Sequence, residues 1–173
     1  MSENAGRVPS VDPQARKGPV MSTLARAARM RPVTWFLINV GNRVDPLLMR
    51  ASGGRLKTTV IAPTVLLTHT GARSGTRRTT PLAYFTDGDD VIVIASRGGH
   101  ESNPAWLYNV RAHPEIELWS GGRGGRYHAR EAEGGERERL WQLATEFYPG
   151  FASYQVRAGD RVIPVVVCSP SEG

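Results

Sequence analysis

A single cysteine among 173 residues excludes an intramolecular disulfide and fits a reducing, cytoplasmic setting. Cys168 stands in the apolar run Val165-Val166-Val167-Cys168, where packing is expected rather than thiol chemistry. Four histidines, His69, His100, His113 and His128, lie far apart, and none has a Cys, His or Asp partner at a metal-ligand spacing, so no metal site is expected. Ser74 and Ser96 lack the elbow context of a hydrolase nucleophile. There is no internal repeat, and the Arg-rich stretch before Pro32 is not followed by the apolar region and cleavage site of a signal peptide. The formal charge of +6 and pI near 10.1 invite a nucleic-acid reading, but the arginines are dispersed among carboxylates without a recognised motif, so no nucleic-acid partner is expected. With these chemistries set aside, a bound cofactor remains.

What the chain does have is Leu66-Leu67-Thr68-His69-Thr70-Gly71-Ala72-Arg73-Ser74-Gly75-Thr76-Arg77-Arg78-Thr79-Thr80-Pro81, a strand entering a glycine-bracketed turn dense in guanidinium and hydroxyl groups. Glycines allow the backbone to turn sharply and bring its N–H groups to a ligand, and arginines offer forked donors to phosphate or carboxylate oxygens. No Walker Lys-Ser/Thr pair follows, which argues against a nucleoside triphosphate loop. Taken alone, the turn reads equally well as a solvated hairpin. Asp87-Gly88-Asp89-Asp90 is a turn signal, and Val91 to Ala95 reads as a central strand ending in Ser96-Arg97-Gly98-Gly99. Asn103 is expected to cap a helix with Pro104 in its first turn and Ala105 to Arg111 in its body, before His113-Pro114 stops it. Two strand ends carrying Arg, Ser and Gly, next to a helix bearing Trp106, Tyr108 and Asn109, suggest a pocket cationic at one end and aromatic at the other.

Length and 40% hydrophobic content suit one domain. Residues 1–19 read as a mobile tail. Residues 20–50 form a helical segment in which Val33, Phe36, Leu37, Val40 and Val44 follow helical spacing. That run is too short to span a bilayer. It packs on the domain or on a partner subunit, or else adsorbs to an anionic membrane surface through its flanking arginines. Residues 51–170 form the main domain. Glu115 to Trp119 and Arg126 to Glu131 read as strands joined by a flexible Gly121–Gly125 hairpin; a helix follows from Glu136 to Phe147, then a turn over Phe151 to Arg157 and a strand from Val162 to Cys168.

The chain resembles the deazaflavin-dependent nitroreductases of actinobacteria, which use coenzyme F420. The resemblance is carried by Gly71-Ala72-Arg73-Ser74-Gly75, Arg78, Pro81-Leu82, Ala95-Ser96-Arg97-Gly98-Gly99, Asn103-Pro104-Ala105-Trp106, Asn109, His113-Pro114, Tyr148-Pro149, Tyr154 and Ile163-Pro164-Val165, over roughly Gly54 to Pro170. It implies an α+β fold: a split β-barrel, like that of FMN-binding proteins, with flanking helices and an N-terminal helix. It also implies hydride transfer from reduced F420 to a quinone, nitroaromatic or other unsaturated acceptor. The alternatives are an FMN-binding oxidoreductase on the same barrel and a non-catalytic F420 carrier. By resemblance, Arg73 and Arg78, with Ser74, Gly75 and Pro81 beside them, hold the cofactor's phosphodiester and polyglutamate tail. Ile94, Ala95, Ser96, Arg97, Gly98 and Gly99 line the ring edge, with Ser96 also expected as a catalytic residue beside Tyr148 and Tyr154, and Trp106 and Asn109 fix the cofactor. Tyr148 and Tyr154 fall where the family places substrate tyrosines, although aromatic packing accounts for them equally well. Phe151 replaces a third tyrosine and offers an apolar wall instead. Homo-oligomers occur among the partners this reading allows.

Overall fold

Two strand segments, Glu115–Ser120 and Arg123–Glu131, alternate buried and exposed residues, whereas Thr64–Thr70, Asp90–Ile94 and Val165–Pro170 run largely buried on both faces, as expected where one face lines a closed interior and the other is covered. In the computed structural model, which describes residues 7–15 and 62–171, six antiparallel strands form a barrel: β1 (Thr64–Thr70), β2 (Arg77–Asp87), β3 (Asp90–Ile94), β4 (Glu115–Ser120), β5 (Arg123–Glu131) and β6 (Val165–Pro170). Their order around the barrel is β1-β2-β3-β6-β5-β4, closed by the pairing of β1 with β4. Among the described residues three helices accompany them, α1 (Ala105–Ala112), α2 (Gly134–Phe147) and α3 (Gly150–Arg157), with a short 3-10 turn at Arg97–Gly99. Inward residues Val65, Leu67, Val91, Val93, Ile116, Leu118, Tyr127 and Val166 make one apolar core. Trp106, Leu107 and Val110 of α1 enter the same core, so this helix stoppers the barrel where β1 ends.

The other end is closed by the chain's early residues. Within the stretch read as a mobile tail, Val8 is buried and Val11 packs on the barrel core. Val8 N–H donates to Tyr127 Oη at 3.1 Å, Tyr84 Oη donates to Pro9 O at 2.9 Å, and Val11 N–H donates to Thr86 Oγ1 at 2.9 Å. Tyrosine hydroxyls inside a barrel need partners, and this strap supplies them. The helix expected over residues 20–50 lies outside the described residues.

A second core lies on the outer wall of β2, β3 and β6. Phe85, Ile92, Ile94, Val165 and Val167 meet Leu140, Ala144 and Phe147 of α2 and Phe151 and Tyr154 of α3 there. Among the described residues no helix is long and apolar enough to cross a membrane.

Several local expectations need correction. The Gly121–Gly125 hairpin is a two-residue turn of Gly121 and Gly122, whose φ of +56° and +79° are the conformation a tight right-twisted hairpin requires. Gly124 and Gly125 belong to β5, where a Cβ on Gly124 would lie 2.3 Å from Leu118 O. The turn expected over Phe151–Arg157 is helix α3, and the last strand starts at Val165 rather than Val162 because Pro164 has no N–H to give a ladder and the Ile163 amide is spent on Gln155 Oε1 at 3.0 Å. Asn103 does not cap α1: Pro104 holds that position with extended backbone and no side-chain cap bond.

Candidate functional site

The glycine-bracketed turn between β1 and β2 is internally bonded. Gly71 N–H donates to Thr76 O at 2.9 Å, Gly75 N–H to Gly71 O at 2.8 Å, and Thr76 N–H to Ser74 Oγ at 3.3 Å. Gly75 has φ +62°, which the curl itself requires, and a Cβ on Gly71 would fall 2.5 Å from Ser74 Oγ, so a larger residue there would displace the Ser74 hydroxyl. The curl is tethered to α1 through Ala72 N–H, which donates to Asn109 Oδ1 at 2.9 Å. Arg77 is paired with Glu117 at 2.6 Å, whereas Arg73 and Arg78 have no acidic partner among the described residues. Two uncompensated guanidiniums and a serine hydroxyl thus stand at one exposed curl. That donor set suits a polyanionic group such as a phosphodiester with carboxylates.

The second element is the loop after β3. Arg97 takes φ +49°, costly for a residue with a Cβ, and its side chain folds back so that Nη1 donates to Ser102 Oγ at 2.6 Å and Asn103 O at 3.3 Å. Gly99, at φ +81°, lies directly against α3: a Cβ there would sit 2.6 Å from Tyr154 O and 2.8 Å from Arg157 Cβ. What shapes the loop is Arg161, which sequence reasoning missed. Its Nε donates to His100 O at 2.9 Å, Nη1 to Asn103 Oδ1 at 2.8 Å and Ala95 O at 3.2 Å, and Nη2 to Ser96 O at 2.9 Å. No periodicity or spacing announces a guanidinium that serves acceptors some sixty residues earlier. Partial burial and the neighbouring Arg97 charge push its pKa below the usual guanidinium value.

The third element is an aromatic cluster on the outer wall. Tyr148 and Phe151 meet edge to face with centroids 5.2 Å apart, Phe151 and Tyr154 at 6.1 Å, and Tyr148 and Tyr154 at 6.0 Å. Tyr148 Oη lies 3.4 Å from Tyr154 Oη, and Arg157 stands over the Tyr154 ring at 5.4 Å. Ile94 packs in the same cluster, which joins the end of β3 to the tyrosines, while Gly99 joins the loop to α3.

The expected residues therefore fall into two groups. Arg73, Ser74, Gly75, Arg78 and Asn109 gather at the β1–β2 turn. Ile94, Ala95, Ser96, Arg97, Gly98 and Gly99 form a ledge next to Tyr148, Phe151 and Tyr154. Pro81 lies on β2 in register with Leu66 of β1. Trp106 is buried in the barrel interior. A cleft of about 190 Å³ between α1 and β5, lined by Leu107, Val110, Arg111 and Ala129 among others, contains none of these residues.

Residues 42–170 match a family model described as F420H(2)-dependent quinone reductase. An F420H(2)-dependent quinone reductase of Mycobacterium tuberculosis is 34% identical over 130 residues, which cover 72% of this chain and 87% of that protein. A solved F420-H2 dependent reductase (FDR-A) shares 42% identity, covers 62% of this chain and 94% of its own, and superposes with a TM-score of 0.58. A solved chain described as a domain-swapped dimer shares 34% identity over 80% of this chain and 99% of its own, with a TM-score of 0.59.

Proposed function

The chain belongs to the F420H(2)-dependent quinone reductase family and carries its split β-barrel, and from that premise we propose that it reduces a quinone-like acceptor with a hydride from the reduced deazaflavin cofactor F420. The observation that carries the cofactor assignment is the pair Arg73 and Arg78, uncompensated beside a glycine curl whose backbone is pinned at Ala72. When bound, the deazaflavin supplies the hydride.

The chain's own residues supply position and charge. Arg73 and Arg78 hold the anionic tail by charge-assisted bonds, and the Ser74 hydroxyl adds a neutral donor. The ledge from Ile94 to Gly99 borders the ring edge, its backbone held open by Arg161. Phe151, buried against Tyr148 and Tyr154, backs the two tyrosines with an apolar ring and excludes water from that side. A quinone that accepts a hydride needs one further proton on an oxygen, and the Oη atoms of Tyr148 and Tyr154 are the nearby donors. The relative described as a domain-swapped dimer supports self-association of this chain as a further reading, which its mass in solution tests.

Fluorescence titration with F420 and with flavin mononucleotide tests the assignment, followed by turnover with quinones, nitroaromatics and unsaturated ketones. Tighter binding of F420 and reduction of quinones is the expected result. Equal or tighter binding of the flavin would overturn it.

A further inference from the structure

His69 has no part in the reading above, yet it is 3% exposed at the end of β1, two residues before the anion-binding curl. Its surroundings specify its protonation. The Ala72 amide can only donate, so the Asn109 oxygen must face it, at 2.9 Å. Asn109 Nδ2 then faces His69 Nδ1 at 3.1 Å, and Nδ1 must be the bare, accepting nitrogen. The ring proton therefore sits on Nε2, which donates to Thr80 Oγ1 at 3.1 Å. Among the described residues, the Asn109 bond is the only hydrogen bond from the Gly71–Thr76 curl to another element.

We propose that His69 is a positioning residue of the cofactor site: by fixing the Asn109 amide it holds the backbone at Ala72 and so aims Arg73 and Ser74 at the anionic part of the cofactor. The inference rests on the cofactor assignment made above. Its geometry is a closed ring, from His69 across to Asn109 on α1, back to Ala72, and along the chain to His69. Remove the acceptor at Nδ1 and Asn109 keeps one bond instead of two, free to turn toward solvent and release the curl. Arg73 is the next residue. The ring also uses a neutral imidazole: a proton on Nδ1 would set donor against donor, and burial together with the Arg78 charge holds the His69 pKa down at about 4.

Two substitutions separate positioning from bulk packing. His69→Leu fills the space but accepts nothing; His69→Asn places an acceptor where Nδ1 stands. The expected outcome for His69→Leu is an Ala72 amide that exchanges about tenfold faster in the folded protein and a Kd for F420 raised by about tenfold. The slope of affinity against salt should also flatten, because Arg73 no longer meets its anion. His69→Asn should stay within about threefold of the parent on each readout. Should His69→Leu not fold, nitrogen-15 spectra of the parent imidazole decide, with Nδ1 bare and the ring neutral down to about pH 5. An Nδ1-protonated parent, or a His69→Leu protein that exchanges Ala72 and binds F420 like the parent, overturns the inference. A parent that fails to bind F420 refutes the cofactor assignment instead, and the Ala72 exchange rate, which needs no ligand, still judges His69.

Discussion

Arg161→Met keeps an apolar stem and deletes the guanidinium that bonds four acceptors in and beside the loop after β3. Four acceptors lose their partner: Ala95 O, Ser96 O, His100 O and Asn103 Oδ1. An acceptor left unmet in a dry interior costs roughly 1–3 kcal/mol, but this guanidinium is only half-buried, so water replaces part of what is lost and about 1 kcal/mol per acceptor is the better figure. Relief of the repulsion from Arg97 returns a fraction of that. The expected net loss is therefore about 2–4 kcal/mol, a large share of the roughly 5–15 kcal/mol that holds a domain folded. Urea unfolding should show a lower midpoint with an unchanged slope, since the surface exposed on unfolding is the same. Arg161→Lys should fall between, because three ammonium protons cannot serve four acceptors on different bearings. F420 affinity should drop in the same order. A methionine variant within about 0.5 kcal/mol of the parent would show that the clamp is ornamental and that the loop is shaped by Gly99 against α3 instead.

Acidification should cost stability through His69. Its folded pKa lies near 4 against an ordinary 6.5, so the unfolded chain binds the proton first; the contribution is complete above about pH 6.5 and is lost as the pH falls toward 4. Between pH 7 and pH 5 the shift amounts to roughly 1–2 kcal/mol, measurable as the difference between the parent and His69→Asn in chemical unfolding at the two pH values. Arg73→Ala should weaken F420 binding by roughly 1.5–3 kcal/mol, about one to two decades, with a smaller effect at high salt; an unchanged dissociation constant at low ionic strength would return Arg73 to the solvated loop. Tyr148→Phe and Tyr154→Phe remove only a hydroxyl, so turnover should fall by about two to four orders of magnitude in whichever carries the proton while cofactor affinity holds. Full turnover in both would make them packing residues.

Local signals were legible. Val91 to Ile94 is β-branched throughout and became a strand; Gly71 and Gly75 bracket an internally bonded curl; Leu140, Ala144 and Phe147 recur at helical spacing and are buried together. The errors came where distant partners overrode a local rule. Asn103 follows the residue preference for a helix cap, but its side chain is taken by Arg161. The four glycines between Ser120 and Arg126 read as one loose loop because sequence cannot show that the Leu118 carbonyl crowds Gly124. Residues 7–15 lack an apolar period, so nothing announced that two tyrosine hydroxyls more than seventy residues away would hold them. His69 was visible but silent, since its role depends on which way an amide on another element faces.

The strap across the barrel's lower end also has a history in time. Residues 8–11 are synthesised well before the groups that receive them, because Tyr84 and Thr86 belong to β2 and Tyr127 to β5, and the bond from Val8 to Tyr127 joins positions 119 residues apart. Closing a loop of that length is slow to pay back in contacts, so this segment docks only after the strands around it have paired. A nascent chain stalled short of Tyr127 would lack most of β5 and all of β6, so it would have no closed barrel for Val8 to seal and no hydroxyl to receive the Val8 amide.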